Sequence, residues 1–193
     1  MIEAFQNAKL ALEAFLADGR NFTTLDLAAD LIAQSLSAGG KVLACGNGGS
    51  ACDAMHFCEE LTGRYRKDRP ALAAISLTDP GHLTCVANDY GYDHVFARGV
   101  EALGRAGDVL VALSTSGNSA NVVRAVEAAQ ARDVRTIALL GKDGGALAGA
   151  SNLQWIVPGV PAEAPTADRI QEIHMLILHA LVEGVERRMF GQS

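Results

Sequence analysis

Short runs of apolar residues alternate with helical stretches along most of this sequence, from residue 41 onward. The apolar runs are continuous, which is typical of strands that are buried on both faces of a parallel sheet. The predicted strands cover residues 41–45, 71–77, 108–113, 135–140 and 154–157. Helices are predicted after the loop at 46–50, ending at about Tyr65, and over 79–88, 94–103, 120–132 and 168–189. The pattern predicts an α/β fold, a three-layer sandwich with a central five-stranded parallel sheet.

Two more helices are predicted before the first strand, over residues 2–18 and 24–38, and the second ends at Gly39-Gly40. Both carry more apolar positions than a single buried stripe needs, so we expect part of residues 1–38 to lie at an interface between subunits. The sequence shows no internal linker and no repeat, and 193 residues fit one domain, which we place over residues 1–193.

Charge and cysteine content exclude several classes of protein. With 16 basic and 22 acidic residues, the net charge of −6 argues against a nucleic-acid-binding surface as the main function. The four cysteines have no metal-type Cys-x-x-Cys spacing, and three lie in apolar or helical stretches where small buried side chains are expected. The first six residues lack the basic start of a signal peptide, and no apolar run approaches the roughly 18 residues of a membrane span. We therefore expect a cytoplasmic protein that binds neither nucleic acid nor membrane.

Two loops of small residues follow predicted strands, at 46–50 and 114–119. The carboxyl ends of parallel strands are where such sheets bind ligands. The first loop lets the backbone approach a ligand closely, and the second supplies four hydroxyl groups and the start of a helix. Residues 46–51 also fit a variant of the dinucleotide fingerprint, but Asp79 is further along than the expected ribose-binding acid, and neither loop has the Walker pattern. The two loops together predict a phosphate site that does not depend on Lys or Arg.

A second group of polar residues has the spacing expected for acid–base chemistry. His56 and Glu60 are four residues apart and share one face of the helix after the first loop. Gln171, His174 and His179 lie on the last helix, which is otherwise strongly apolar, and polar groups there need a partner or a function. For a single histidine of this kind, a satisfied position in the core is the better interpretation. Glu60, His56 and His179 together favour a function, either proton transfer or binding of a divalent metal such as zinc, and both remain open.

The spacing on the last helix bears on how these residues could meet. Gln171 and His179 are eight residues apart, which places their Cα atoms about 12 Å apart along the helix and roughly 80° apart around it. Both side chains would reach one small ion only with difficulty. We therefore hypothesise that the pocket is assembled between subunits, with one of these residues serving a neighbouring site.

Long segments of the sequence resemble the phosphoheptose isomerases of the sugar isomerase (SIS) superfamily. The resemblance covers nearly the whole chain. The segments that carry it are GNGGSACDAMHFCEELTGRYR at 46–66, AND at 87–89, LSTSGNSANV at 113–122, LLGKDGG at 139–145 and ADRIQEIHMLILH at 167–179. It implies the flavodoxin-like SIS fold and the conversion of D-sedoheptulose 7-phosphate to D-glycero-D-manno-heptose 7-phosphate through an enediol, which supplies heptose for surface polysaccharide.

The resemblance also assigns roles to individual positions. Glu60 and His179 match the family's acid–base pair. The positions that match its zinc ligands are His56, Glu60, Gln171 and His179. The positions that match its substrate-binding residues are Asn47, Gly48, Gly49, Glu60, Asn88, Asp89, Ser114, Thr115, Ser116, Ser119 and Gln171. The resemblance further implies a cytoplasmic homotetramer with shared sites and one Zn²⁺ per subunit. Arg64 and Asp168 are secondary candidates, and exposed charge at a helix end explains them equally well.

One segment departs from the family pattern, and two alternatives stay open. Residues 157–166 look longer and richer in proline than the family's connection before Ala167, which could reshape the rim of the pocket. One alternative is a non-enzymatic SIS adaptor that binds the replication initiator, although such relatives lack a histidine at the position of His179. The other is an isomerase of a different phosphosugar, such as a pentose or hexose phosphate.

Overall fold

The computed structural model describes residues 1–161 and 166–191, and these form seven α-helices around one five-stranded sheet. The strands are β1 (Val42–Cys45), β2 (Ala74–Ser76), β3 (Val109–Ser114), β4 (Arg135–Gly141) and β5 (Leu153–Val157). The helices are α1 (Ile2–Ala17), α2 (Arg20–Ser37), α3 (Gly49–Thr62), α4 (Pro80–Tyr90), α5 (Val95–Leu103), α6 (Ala120–Gln130) and α7 (Ala167–Phe190). Single 3₁₀ turns lie at Tyr92–His94 and Gly145–Leu147.

The sheet is parallel throughout, with the strand order β2-β1-β3-β4-β5. This is the flavodoxin-like order, so the predicted α/β architecture is confirmed. The chain continues from β1 toward one edge of the sheet and from β3 toward the other. The loops after these two neighbouring strands therefore border the crevice in which such sheets bind ligands.

Alternate strand residues contribute to two separate apolar layers. In β3, Val109, Val111 and Leu113 pack with α1, α2, α3 and α7 on one face, whereas Leu110 and Ala112 pack with α4, α5 and α6 on the other. All five side chains are fully buried, which explains why the apolar runs in the sequence are continuous rather than alternating.

Several boundaries differ from the sequence prediction. The second strand covers only Ala74–Ser76, because the amide of Leu72 already bonds to the Leu61 carbonyl of α3 rather than to the sheet. Helix α2 begins at Arg20, four residues earlier than predicted, where the Asp18 carboxylate accepts a hydrogen bond from the Arg20 amide. Helix α3 ends at Thr62 and not at Tyr65, since Gly63 caps it.

Helix α1 leaves large apolar side chains on the protein surface. Ile2 and Phe5 are exposed, Phe5 by 79%, and Leu10 and Leu16 are half exposed. Helix α2, in contrast, packs closely on α7 and buries Ala28, Ala29 and Ile32 among other residues. The surplus of apolar positions in residues 1–38 thus falls mainly on α1 and is not used within the chain.

Fewer cysteines are buried than the sequence predicts. The structure buries two cysteines, Cys45 and Cys58, and not three; Cys52 and Cys85 are exposed because they lie on the outer faces of α3 and α4. Burial raises the pKa of both buried thiols to about 12. Among the described residues, no helix is long and apolar enough to cross a membrane.

Candidate active site

The two loops predicted to bind phosphate follow β1 and β3, side by side at the carboxyl edge of the sheet. We call residues 46–50 the Gly loop and residues 114–119 the Ser loop. Gly48 has a φ of +55°, a conformation that favours glycine. Helices α3 and α6 begin directly after these loops, so both helix N-termini point toward the crevice.

The Ser loop is fixed by contacts inside the protein. The buried Ser114 hydroxyl donates to Ser119 Oγ at 3.3 Å and accepts from the Gly117 amide at 3.1 Å. Gly117 has a φ of +64°, and a Cβ there would lie 1.8 Å from the Gly144 carbonyl oxygen. Ser114 therefore holds the loop, while the half-buried hydroxyls of Thr115, Ser116 and Ser119 are better placed for a ligand.

An amide pair joins the Gly loop to the first turn of α6, and the sequence reasoning missed one of its members. Asn47 Nδ2 donates to Asn121 Oδ1, and Asn121 Nδ2 donates back to Asn47 Oδ1, both at 2.8 Å. Tyr92 also donates its hydroxyl hydrogen to Asn47 Oδ1, at 3.0 Å. The signal that could have revealed Asn121 is a polar residue on the buried face of α6, where it is only 3% exposed.

Gln171 lies beside the Gly loop. Its Nε2 donates to Ser50 Oγ at 3.3 Å, and a Cβ on Gly49 would come within 2.7 Å of its amide group. The side chain of Gln171, which belongs to α7, thus lies beside the N-terminal end of α3. Its partner Ser50 is six residues before His56, which corresponds to about 9 Å along α3.

His56, Glu60 and His179 form a compact cluster within one chain. Each offers a ligand atom, and these atoms lie within 4.8 Å of one another. His56 Nε2 is 3.1 Å from Glu60 Oε1, and the rings of His56 and His179 are 5.1 Å apart in an edge-to-face arrangement. Helix α3 places the first two side chains one turn apart, and α7 packs against it to bring His179 alongside.

This donor set suits a divalent cation. Two imidazoles and one carboxylate are ligands that zinc commonly takes, and their mutual distances are small enough for one ion. The sequence prediction that His56, Glu60 and His179 act together thus agrees with the geometry. The amide of Gln171, the fourth proposed ligand, contacts Ser50 at the start of α3.

Tyr65 is a further residue at this cluster that the sequence reasoning missed. Its ring stacks on His179, with centroids 5.7 Å apart and planes 30° apart, and the Arg66 guanidinium lies 4.9 Å from the centroid of the Tyr65 ring. His179 is therefore held between the His56 ring and the Tyr65 ring. The sequence signal for Tyr65 was weak, because this residue lies beyond the end of α3 and helical spacing does not relate it to His56 and Glu60.

Asp53 lies one turn before His56 on α3 and has an unusual environment. Its Oδ2 is buried and makes no hydrogen bond to any residue that the structure describes. Burial raises the pKa of Asp53 to about 6, against an opposing effect of the nearby His56. No local pattern in the sequence singles out this carboxyl group.

His174 is the histidine that belongs to the core. It is fully buried, and its Nε2 lies 2.9 Å from the Leu140 carbonyl oxygen, to which it donates. Burial lowers the pKa of His174 to about 4, against a smaller effect of that hydrogen bond, so the ring is neutral near pH 7. His174 takes the core position expected for one histidine on this helix, but it is satisfied only at Nε2, because its buried Nδ1 makes no hydrogen bond to any residue that the structure describes.

The remaining candidates are exposed at the ends of helices. Asn88 and Asp89 are exposed near the end of α4, where Asn88 Nδ2 donates to Asp89 Oδ1 at 2.7 Å. Arg64 is exposed, and Asp168 bonds to the Arg169 amide; hydrogen bonds from Thr166 and Arg169 lower the pKa of Asp168 to about 2. The segment at 157–166 falls partly on residues 162–165, outside the described residues.

Comparison with known proteins agrees with this arrangement. The SIS domain family model matches residues 5–141. A phosphoheptose isomerase of Aeromonas hydrophila is 55% identical over 182 residues, which cover 94% of this chain and 93% of that protein. The chain belongs to the phosphoheptose isomerases of the SIS family.

Two solved structures of the family support the same assignment. A phosphoheptose isomerase from Neisseria gonorrhoeae is 46% identical, with a TM-score of 0.81 over 96% of this chain and 94% of that one. One from Francisella tularensis is 37% identical, with a TM-score of 0.87 over 96% and 95%. The chain is therefore an enzyme, an isomerase, which argues against the alternative of a non-enzymatic adaptor.

Proposed function

We propose that this chain interconverts D-sedoheptulose 7-phosphate and D-glycero-D-manno-heptose 7-phosphate, with Glu60 and His179 as the acid–base pair. The observation that carries the proposal is the cluster of His56, Glu60 and His179 in a member of the phosphoheptose isomerases. The product would supply heptose for a surface polysaccharide.

The chemistry requires a proton to move between two neighbouring carbons. In the ketose, a base removes a proton from C1, which gives a cis-enediol, and the conjugate acid returns a proton to C2. A second group moves a proton between the oxygens at C1 and C2. Glu60, only 15% exposed, would serve the carbon atoms, and His179, fixed between two rings, would serve the oxygens.

A zinc ion is part of the proposal. His56, Glu60 and His179 would hold it, and when bound it would polarise the sugar oxygens as a Lewis acid. Because Gln171 of the same chain contacts Ser50, a fourth ligand of this kind would come from another subunit.

The phosphate would bind at the two loops. Thr115, Ser116 and Ser119 offer hydroxyl donors beside the N-terminus of α6, where the helix dipole favours an anion. The Gly loop adds the backbone of Gly48 and Gly49, both exposed at the mouth of the crevice. The Asn47–Asn121 pair would keep the two loops at a fixed separation while the substrate binds.

Assembly completes the proposed site. We propose a cytoplasmic homotetramer of single-domain subunits over residues 1–193, with residues 1–38 at the interface and active sites shared between subunits. The exposed apolar side chains of α1 support this, as do Asn88 and Asp89, which are exposed near the end of α4 and could reach a neighbouring site.

The substrate is tested by direct comparison of sugars. Purified protein is incubated with sedoheptulose 7-phosphate, ribulose 5-phosphate or fructose 6-phosphate, with and without a chelator, and the products are separated. We expect the heptose phosphate to be turned over best by at least about 100-fold in kcat/KM. A preference for the pentose or hexose phosphate would favour the alternative isomerase, and turnover that resists prolonged chelation would refute the role of zinc.

A further inference from the structure

Arg69 lies deep inside the protein, although it belongs to the connection between α3 and β2. Its side chain is 1% exposed, and its Nε donates to Glu186 Oε1 at 2.8 Å. Glu186 is itself only 6% exposed, so the ion pair is almost wholly removed from water. A buried guanidinium needs all of its donors satisfied, which makes its remaining partners informative.

Apart from the neighbouring Pro70 carbonyl, which accepts from Nη1 at 3.2 Å, those partners are the backbone carbonyls at the end of α3. Arg69 Nη2 donates to the Glu60 carbonyl at 2.6 Å, and Nη1 donates to the carbonyls of Leu61 at 2.8 Å and Gly63 at 3.0 Å. The last carbonyls of a helix have no partner within the helix, and a cation there is favoured by the helix dipole. Arg69 therefore takes the role that a C-terminal cap has in other helices, at the very turn that carries Glu60.

Glu186, the partner of Arg69 in the ion pair, lies on α7, the helix that carries His179. Glu186 follows His179 by seven residues, so the two lie about 10 Å apart along α7 and on nearly the same face. One guanidinium thus joins the last turn of α3 to the face of α7 that presents His179. The relative position of the two helices near the acid–base pair is fixed by hydrogen bonds as well as by apolar packing.

We propose that Arg69 is a positioning residue for the isomerisation: it sets the separation of Glu60 and His179 by binding the backbone of Glu60 and a carboxylate that lies about two turns further along the helix that carries His179. The inference rests on the proposed function of that pair. Only a planar fork of five donors can reach the Glu60 and Leu61 carbonyls and Glu186 at once. A lysine ammonium is a single point of charge and cannot.

The first test is kinetic and uses Arg69→Lys, which keeps the charge and loses the fork. We expect kcat to fall about 10- to 100-fold, because small misplacements of catalytic groups have effects of this size, with KM within about threefold of wild type. The matched control is Glu183→Gln on the same helix. Glu183 makes partly exposed ion pairs with Arg66, in the same connection as Arg69, and with Arg187. We expect the Glu183→Gln variant to keep kcat within about twofold of the wild-type value.

The second test does not depend on turnover. Arg69→Met combined with Glu186→Leu removes both charges, a change that buried ion pairs often tolerate. Hydrogen exchange at the amides of residues 59–63 is compared with wild type at equal global stability. We expect exchange there to be about tenfold faster, because the end of α3 loses its cap.

Both results are required. Wild-type kcat in Arg69→Lys, or unchanged exchange at the end of α3 in the double variant, would overturn the proposal. If the lysine variant does not fold, the double variant is assayed in its place. If the wild-type protein fails to turn over sedoheptulose 7-phosphate, the proposed function is refuted, and the exchange measurement alone decides whether Arg69 holds this helix end.

Discussion

Glu60 and His179 are the two side chains on which the proposed chemistry depends. Glu60→Gln and His179→Gln each preserve size and hydrogen-bonding capacity but remove the ability to exchange a proton. We expect each to lower kcat by about 100-fold or more, since general acid–base groups contribute 10²–10⁴-fold. The measurement is turnover of sedoheptulose 7-phosphate, with circular dichroism and sedimentation as controls for fold and assembly. Near-wild-type turnover in either variant would remove that residue from the mechanism.

For His174 we predict an effect on the stability of the fold and not on catalysis. Burial holds its pKa at about 4, below the ordinary value of 6.5 that the unfolded chain would show. Between these values the unfolded state binds one more proton, so the protein loses stability as the pH falls from about 6.5 to 4. The loss from this residue is about 3 kcal/mol in total.

The matched variant for this prediction is His174→Gln, which can still donate to the Leu140 carbonyl but does not titrate. Urea unfolding at several pH values should show the stability difference between wild type and variant shrinking by about 3 kcal/mol from pH 6.5 to pH 4. Asp53 titrates in the same range, and its effect cancels in this difference because both proteins contain it. A difference independent of pH would show that the pKa of His174 is the same in the folded and unfolded states.

Some residues of the candidate site could be predicted from the sequence, and others could not. His56, Glu60 and His179 could be found from it because helical spacing and polar residues on apolar helices are local signals. Tyr65 and Asp53 could not. Tyr65 touches His179 only because two distant helices pack together, and the unpaired oxygen of Asp53 is a property of its surroundings.

At the scale of elements, the Ser loop depends on a close approach of two backbones. Gly117→Ala would place a Cβ 1.8 Å from the Gly144 carbonyl oxygen at a φ of +64°. We expect a loss of about 2–4 kcal/mol in the free energy of unfolding, from overpacking and from the left-handed conformation together.

The control for this loop is Gly149→Ala. Gly149 has a similar φ of +76°, but apart from its two chain neighbours no described residue has an atom within 4 Å of the added Cβ. It should therefore show the conformational cost alone, about 1–2 kcal/mol. Equal losses in the two variants, measured by urea unfolding, would mean that the contact with Gly144 is not important.

Elements were predicted well where the pattern was strong and poorly at their ends. The strands β1, β3, β4 and β5 agree within about one residue at each end, because burial on both faces requires continuous apolar runs. The predicted strand at 71–77 was too long, since the amide of Leu72 bonds to α3, a tertiary contact that no local pattern indicates.

At the scale of the whole molecule, we propose that sites are shared between subunits, because Gln171 contacts Ser50 and lies about 12 Å along α7 from His179. Gln171→Ala and His179→Gln should each be inactive alone. If one site takes Gln171 and His179 from different chains, unfolded and refolded 1:1 mixtures should regain about a quarter of wild-type activity, because a quarter of the sites receive both native residues. Mixtures that stay inactive while forming hybrid oligomers would place both residues in one chain's site.

The central claim is that Glu60 removes a proton from one carbon of the sugar and a proton is returned to the next. The most direct measurement is to run the reaction in D₂O and locate deuterium in the product by NMR. Because a carboxyl group exchanges its proton with solvent, we expect deuterium at C2 of the aldose with the wild-type enzyme, and none with Glu60→Gln beyond its residual turnover. Turnover by Glu60→Gln at the wild-type rate, with deuterium at C2, would show that another group removes the proton and would contradict the account.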